Sequence, residues 1–254
     1  MPAAKPFLIL QLRPEDDTSN SEFEAILKYG ELDEQDTHRL RIEATGIPEV
    51  SLDGYAAVIV GGSPFDISTP QARKSEIQVK IEADFRRLFD AIVSNDFPFL
   101  GACSGCGLLG SYLHTPISRK YGEPVGSAAV SITDAGKDDA LLAEFPDQIA
   151  VLCGHKEACD TVPQGATLLL TNDACPVQMF RVGENVYATQ FHPEGDGEGF
   201  TVRIHAYRHH GYFPPEEAEA LIVEVNREDT PWAREILRRF VAKYSTGADS
   251  LSER

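Results

Sequence analysis

Basic residues are scarce in this sequence. It contains 23 Lys and Arg residues against 40 Asp and Glu residues, which gives a formal net charge of −17. A surface of this kind repels nucleic-acid phosphates and anionic lipids unless a local basic patch offsets the charge, and the sequence contains no such patch. We therefore expect neither a nucleic-acid partner nor a membrane partner.

Long apolar runs and a disulfide framework are also missing. The longest apolar stretches have only the length of a strand, and the run in "MPAAKPFLIL" is too short for a secretory signal. The chain has five cysteines, an odd number, and their spacing does not suggest paired bridges. Together these absences predict a soluble protein of the cytoplasm.

The first half of the chain alternates strand and helix patterns. "PFLILQL" and "YAAVIVGG" are short apolar runs typical of strands buried on both faces, and helical patterns follow them. Further strand patterns fill the second half, including a hairpin around residues 183–185, before helical patterns return. The alternation predicts one α/β domain over residues 1–245 with a mainly parallel central sheet, and a flexible tail over 246–254.

The segment "GACSG" has the spacing of a nucleophile elbow, with Cys103 between Gly101 and Gly105. It lies where the predicted strand "FPFLGA" passes into a helix, and open α/β sheets carry their chemistry at such junctions. The N–H groups of a helix start favour a thiolate and can hold an oxyanion. Cys103 is therefore the candidate nucleophile.

A base for this thiol is found in "QFHPEG", residues 190–195. In an extended chain His192 and Glu194 point to the same side, so Glu194 can hold one imidazole nitrogen while the other faces Cys103. A histidine at a strand end carries no function by itself. Its pairing with a cysteine elbow favours a Cys-His-Glu triad.

Taken together, "GACSG", "QFHPEG", "VIVGGSP", "YGEPVG" and the segment around "VLCGHKEACD" resemble the class I, or triad, glutamine amidotransferases. The resemblance extends to free-standing proteins similar to the amidotransferase half of GMP synthase. The resemblance implies a flavodoxin-like three-layer fold and release of ammonia from glutamine through a thioester, without cofactor or metal. By position, Cys103, His192 and Glu194 match the triad, and Gly62 and Ser104 match the two oxyanion donors. His155 either lies near the substrate's α-amino end, as its family position implies, or is an ordinary loop histidine.

One position departs from the family pattern. The family's elbow usually continues to a glutamine that shapes the substrate pocket, and this sequence has Gly107 there. A glycine in the first turn of a helix costs about 1 kcal/mol relative to alanine, so it is not a neutral filler. The hypothesis is that it opens space for a γ-glutamyl compound larger than glutamine, or weakens the site.

Two alternatives stay open from the sequence. "Cys-Ser-Gly-Cys" is a C-x-x-C motif, so Cys106 could pair with Cys103 in a thiol–disulfide protein. The chain also lacks a P-loop and an ammonia-using domain. Its expected ligand is glutamine or another γ-glutamyl amide. The ammonia would pass to a separate synthetase subunit, unless the protein is a stand-alone γ-glutamyl hydrolase.

Overall fold

The computed structural model of the protein describes residues 5–245. The tail predicted over 246–254 lies outside the described residues. The strands are β1 (Phe7–Gln11), β2 (Thr37–Arg41), β3 (Val58–Val60), β4 (Phe99–Ala102), β5 (Ile117–Ser118), β6 (Glu123–Ile132), β7 (Gln148–His155), β8 (Ala158–Cys159), β9 (Ala166–Thr171), β10 (Met179–Val182) and β11 (Val186–Thr189). The α-helices are α1 (Asp16–Gly30), α2 (Glu76–Ser94), α3 (Ser104–Tyr112), α4 (Asp134–Lys137), α5 (Gly197–Ala206), α6 (Ala218–Val225) and α7 (Pro231–Ser245).

One large sheet forms the centre of the described chain. Its strand order is β2-β1-β3-β4-β11-β10-β9-β6-β7. The strands from β2 to β11 pair in parallel, and those from β11 to β7 pair antiparallel. The first half of the chain supplies most of the parallel part, as its buried-strand pattern predicts. The predicted hairpin is the pair β10 and β11.

Helices cover both faces of the sheet, which gives the three layers that the sequence predicts. In β1, Phe7 and Ile9 pack into the core that includes α1 and α7. Leu8 and Leu10 pack into the opposite core, which includes α2 and α3. This alternation follows from the period of two along a strand, and it explains why β1 reads as a continuous apolar run.

The functional candidates lie at one edge of the parallel part. Cys103 directly follows β4, and His192 comes three residues after β11, the parallel neighbour of β4. Because the carboxyl ends of parallel strands meet at the same edge of a sheet, the two motifs are brought together there. Within residues 5–245, no helix is both long enough and apolar enough to cross a membrane.

Candidate active site

Cys103 stands on a sharp turn between β4 and α3. Its backbone has φ 51° and ψ −93°, a conformation that costs about 1–3 kcal/mol for a residue with a side chain. A Cβ on Gly101 would lie 2.8 Å from the carbonyl carbon of Gly105, so the turn closes only with glycine at 101. The strained backbone at Cys103 presents its thiol at the carboxyl end of β4, as in a nucleophile elbow.

The adjacent strand places His192 beside this turn. The N–H of Cys103 donates to the carbonyl of Thr189 at 2.7 Å, which extends the pairing of β4 with β11 past its last residue. The N–H of His192 donates to the carbonyl of Leu152 on β7 at 3.1 Å. Cys103 and His192 then line the same cavity.

Glu194 orients the His192 ring, and Arg203 in turn binds Glu194. Nδ1 of His192 lies 2.7 Å from Oε1 of Glu194. With its proton on Nδ1, the ring donates to the carboxylate and keeps a lone pair on Nε2, as a general base requires. The guanidinium of Arg203, on α5, donates to the same Oε1 at 2.8 Å. All three side chains are buried.

Behind the triad lies a second buried carboxylate, Glu22 of α1. Its Oε2 accepts from Nε of Arg13 at 2.6 Å and from the N–H of Gly62 at 3.1 Å. Arg203 lies 3.8 Å from the same oxygen. Glu22 and Glu194 thus share Arg203, so the loop that carries Gly62 is linked to the triad through charged groups.

Sequence reasoning missed Arg13, Glu22 and Arg203. Two of them interrupt an apolar helix face: Glu22 precedes Phe23 in α1, and Arg203 lies between Phe200 and Ile204 in α5. A charge on the buried face of a helix must find a partner, because burying it alone costs several kcal/mol. Their position on otherwise apolar helix faces is the feature of the sequence from which Glu22 and Arg203 could have been predicted to be buried charged residues.

The two expected oxyanion donors differ in their surroundings. Ser104 is the first residue of α3, where backbone N–H groups have no partner within the helix. The N–H of Gly62, in contrast, already donates to Glu22. A Cβ at Gly62 would lie 2.8 Å from Cε1 of His192 and would also meet Arg13, so glycine is required there by close packing as well.

Burial dominates the protonation of the pair. It raises the pKa of the Cys103 thiol to about 11, although the charges of Arg13 and Arg203 oppose the rise. Burial also lowers the pKa of His192, against the attraction of Glu194. Burial acts to raise the pKa of Glu194, but the charges of His192 and Arg203 outweigh it and keep that pKa below its ordinary value. At neutral pH the site therefore holds a thiol and a neutral imidazole, not the thiolate that the helix start alone favours.

Both ring nitrogens of His155 lie within hydrogen-bond distance of other protein groups. Its Nδ1 lies 3.0 Å from the carbonyl of Glu157, and its Nε2 lies 2.9 Å from Oε2 of Glu123. Glu157 in turn accepts from the backbone of Ile67 at 2.5 Å and of Ser68 at 2.9 Å. Through Glu157, His155 is thus linked to the loop that contains Ile67 and Ser68.

The side chain of Ile67 lies beside Gly107. A Cβ at this position would lie 2.7 Å from Cδ1 of Ile67, the end of a flexible side chain. Ile67 therefore stands where the family's glutamine side chain would begin. Gly107 also lines a small cavity beside Cys103 and Ser104, so the hypothesis of extra room at this position stays a prediction.

This packing predicts that positions 107 and 67 are coupled. Gly107→Gln is expected to lower glutamine hydrolysis by about tenfold, because Ile67 must move. Adding Ile67→Ala to Gly107→Gln should recover most of the loss, whereas Ile67→Ala alone should change the rate little. Steady-state ammonia release by the three variants measures this. Equal losses in the single and double variants would show that the two positions are independent.

Two groups of possible metal ligands occur among the described residues. The first is Glu22, His192 and Glu194, and the second is Glu123, Cys153 and His155. Arg13 and Arg203 lie against the first group, so their charges oppose a cation there. In the second, Glu123 also accepts from Asn172 and Gln178. In both groups the carboxylates already bind other side chains, so neither group fits a metal ion.

The second cysteine of the C-x-x-C motif is packed away from solvent. Cys106 is fully buried in the core beneath α3. A hydrogen bond with the Cys159 thiol, together with burial, raises the pKa of Cys106 well above its usual value. A buried, protonated thiol is a poor partner for disulfide exchange, so this geometry gives the redox interpretation no support.

Comparison with known proteins agrees with the site's geometry. The family model for "Glutamine amidotransferase class-I" matches residues 20–212, which include Cys103, His192 and Glu194. The chain belongs to the class-I glutamine amidotransferase family.

Two relatives of this chain carry the names of different activities. It is 26% identical over 149 residues to the GMP synthase [glutamine-hydrolyzing] of Streptomyces avermitilis, which covers 58% of this chain and 26% of that protein. The chain thus spans about a quarter of that synthase's length. It is also 27% identical over 186 residues to gamma-glutamyl peptidase 3 of Arabidopsis thaliana, covering 67% of each chain.

A solved structure shows the same fold. The crystal structure of a glutamine amidotransferase from Thermotoga maritima superposes with a TM-score of 0.75 and 21% sequence identity. The match covers 96% of this protein and 99% of that chain. At this identity the comparison establishes the α/β architecture.

Proposed function

We propose that this amidotransferase hydrolyses the side-chain amide of glutamine with Cys103 as nucleophile, His192 as base and acid, and Glu194 as the group that orients the ring. The observation that carries the proposal is the strained elbow that presents Cys103 to the cavity lined by His192, with Nδ1 of His192 2.7 Å from Glu194. The family membership supports the same reaction class.

The proposed reaction has two halves. His192 takes the thiol proton of Cys103, and the sulfur bonds to the amide carbon, so that the carbonyl oxygen becomes an oxyanion near the N–H of Ser104. The C–N bond then breaks as His192 returns its proton to the nitrogen, which releases ammonia and leaves a γ-glutamyl thioester. Water, deprotonated by His192, attacks the thioester; the C–S bond breaks, glutamate leaves and the thiol is restored.

The surroundings of Gly62 favour slow turnover by the isolated chain. Its N–H must leave Glu22 before it can bind the oxyanion, and one oxyanion donor is worth about two to three orders of magnitude in rate. The longer GMP synthase relatives make a separate ammonia-using synthetase the proposed partner, which would stabilise the released loop. A thiol nucleophile suits the reducing cytoplasm, our proposed location.

A second candidate function is hydrolysis of γ-glutamyl peptides. The observation that favours it is the similarity to gamma-glutamyl peptidase 3 over two thirds of each chain. The chemistry at Cys103 is the same, and only the leaving amine differs.

Equimolar ammonia and glutamate formation from glutamine tests the proposal. Acid quenching during turnover should trap a γ-glutamyl group on the peptide that contains Cys103, detected by mass spectrometry. Absence of both hydrolysis and the adduct, with glutamine and with γ-glutamyl peptides alike, would contradict it.

The pH profile provides a further prediction. His192 must be neutral to accept the thiol proton, and burial lowers its pKa below 6.5. Activity should therefore fall only as the pH drops through this lowered value, so the acid limb of kcat/KM lies below pH 6.5. Arg203→Met removes a positive charge that lowers the His192 pKa and should move the limb to higher pH, whereas Arg203→Lys keeps the charge and should hold it. An acid limb above pH 6.5 in the unmodified protein would refute this electrostatic account.

A further inference from the structure

Residues 61–68 form an irregular loop that directly follows β3 and carries Gly62, one of the two expected oxyanion donors. We refer to these residues as the Gly62 loop. Near its start, the N–H of Gly62 donates to the buried carboxylate of Glu22. Under the proposed mechanism this N–H must turn away from Glu22 to bind the oxyanion. The path of that movement depends on what holds the rest of the loop.

A second carboxylate binds the far end of the Gly62 loop. Glu157 lies in the turn between β7 and β8, and each of its two oxygens accepts one backbone N–H. Ile67 donates to Oε1 at 2.5 Å, and Ser68 donates to Oε2 at 2.9 Å. Hydrogen bonds to an ionised group are about twice as strong as those between neutral groups. The bidentate contact with two successive N–H groups requires both carboxylate oxygens.

The other contacts at this end are made by Asp66. Its carboxylate pairs with Lys156 at 2.9 Å and with Arg119 at 2.8 Å, and its carbonyl accepts from Nε2 of Gln78 at 2.8 Å. The side chain of Arg119 is 68% exposed, so this ion pair contributes little. The far end is thus fixed, with Glu157 as its strongest contact, and the part near Gly62 is the part that can rearrange.

The fixed end of the loop lies close to the proposed chemistry. Glu157 lines the same cavity as Cys103, Ser104 and Ser63, the residue that follows Gly62. An oxyanion donor acts only when its nitrogen lies about 2.7–3.1 Å from the developing charge. A misplacement of about 1 Å costs about two orders of magnitude in rate. The anchor at Glu157 therefore determines where the N–H of Gly62 arrives once it leaves its present acceptor.

We propose that Glu157 is a positioning residue: it fixes the far end of the Gly62 loop, so that the N–H of Gly62 meets the oxyanion after it has left Glu22. The inference rests on the proposed amide hydrolysis at Cys103. Glu157 itself touches neither the substrate carbonyl nor the nucleophile in this role, and it acts through the backbone of the loop.

The experiment measures two reactions of Cys103 in Glu157→Gln. This variant keeps the size of the side chain but replaces one acceptor oxygen with an NH2 group, which cannot accept from the loop. For glutamine, kcat should fall by about tenfold or more while KM stays within about threefold, because the loss arises in the transition state. Alkylation of Cys103 by iodoacetamide, followed by mass spectrometry of its peptide, needs no oxyanion donor. It should not slow, since the charge of Glu157 raises the pKa of Cys103.

Two further variants make the comparison specific. Glu157→Asp keeps both acceptor oxygens on a shorter side chain and should recover part of the lost kcat. Asp160→Asn is the matched control, because it neutralises a half-buried carboxylate three residues further along the chain that accepts from the Ser118 hydroxyl, outside the Gly62 loop. Its kcat should stay within about twofold of the unmodified protein.

Three results would overturn the inference while leaving the proposed function intact. The first is a folded Glu157→Gln variant with an unchanged kcat. The second is a loss of hydrolysis matched by an equal loss of Cys103 alkylation, and the third is an equal fall of kcat in Asp160→Asn. If Glu157→Gln does not fold, as judged by its circular dichroism, Glu157→Asp replaces it with the same but smaller expected fall. Failure of the unmodified protein to hydrolyse any γ-glutamyl amide would instead contradict the proposed function.

Discussion

Replacing Cys103 with alanine should lower amide hydrolysis by about four orders of magnitude or more. Removing the nucleophile from a triad abolishes the covalent route, and the remaining groups provide only weak general catalysis. The side chain makes no large contribution to the core, and alanine fits the elbow as cysteine does, with the same unfavourable φ of 51°. The measurement is ammonia release from glutamine by purified, folded protein.

Cys106→Ala is the matched control for this change. It removes a second thiol from the same turn of chain, but one that is buried against Cys159 and away from the proposed chemistry. Its rate should stay within a few-fold of the unmodified protein, at some cost in stability. A larger loss of activity in Cys106→Ala than in Cys103→Ala would contradict the nucleophile assignment and favour the C-x-x-C interpretation.

Replacing Glu22 with alanine should destabilise the fold by about 3–5 kcal/mol. Glu22 is fully buried, and its removal leaves Arg13 without its carboxylate partner. Breaking one side of a buried ion pair has a cost of this size because the other charge stays buried and uncompensated. The amides of Gln11 and Gly62 lose an acceptor as well. Equilibrium unfolding in urea measures the change.

The neighbouring residue Glu24 supplies the comparison. It is on the same helix but is exposed, so Glu24→Ala should alter the free energy of unfolding by less than about 0.5 kcal/mol. Similar losses in the two variants would mean that the buried charge pairing of Glu22 adds nothing measurable to stability.

Much of the architecture could be predicted because it depends on local pattern. The continuous apolar run of β1 and the glycines around Cys103 each follow from one local requirement, burial on two faces or a turn without room for side chains. The pairing of His192 with Glu194 was predictable for the same reason, since two residues of extended chain fix their relative direction.

The parts that could not be predicted depend on distant segments. Ile67 lies beside Gly107, and Tyr212 lines the cavity at Cys103, yet neither is near its partner in the sequence. The thiolate expectation for Cys103 considered the helix start alone. Burial, which depends on everything packed around the turn, outweighs it.

The parallel pairing of β4 with β11 also affects the protein while it is being synthesised. Cys103 leaves the ribosome well before His192, because the segments that form β6, β7, β9 and β10 lie between them in the chain. A domain generally folds as a unit, and the turn at Cys103 pairs with Thr189 of β11, so the turn is complete only once β11 has been synthesised. Under the proposed mechanism, an incomplete chain that ends before β11 lacks the base for Cys103, so we expect it to release no ammonia until the C-terminal strands have joined the sheet.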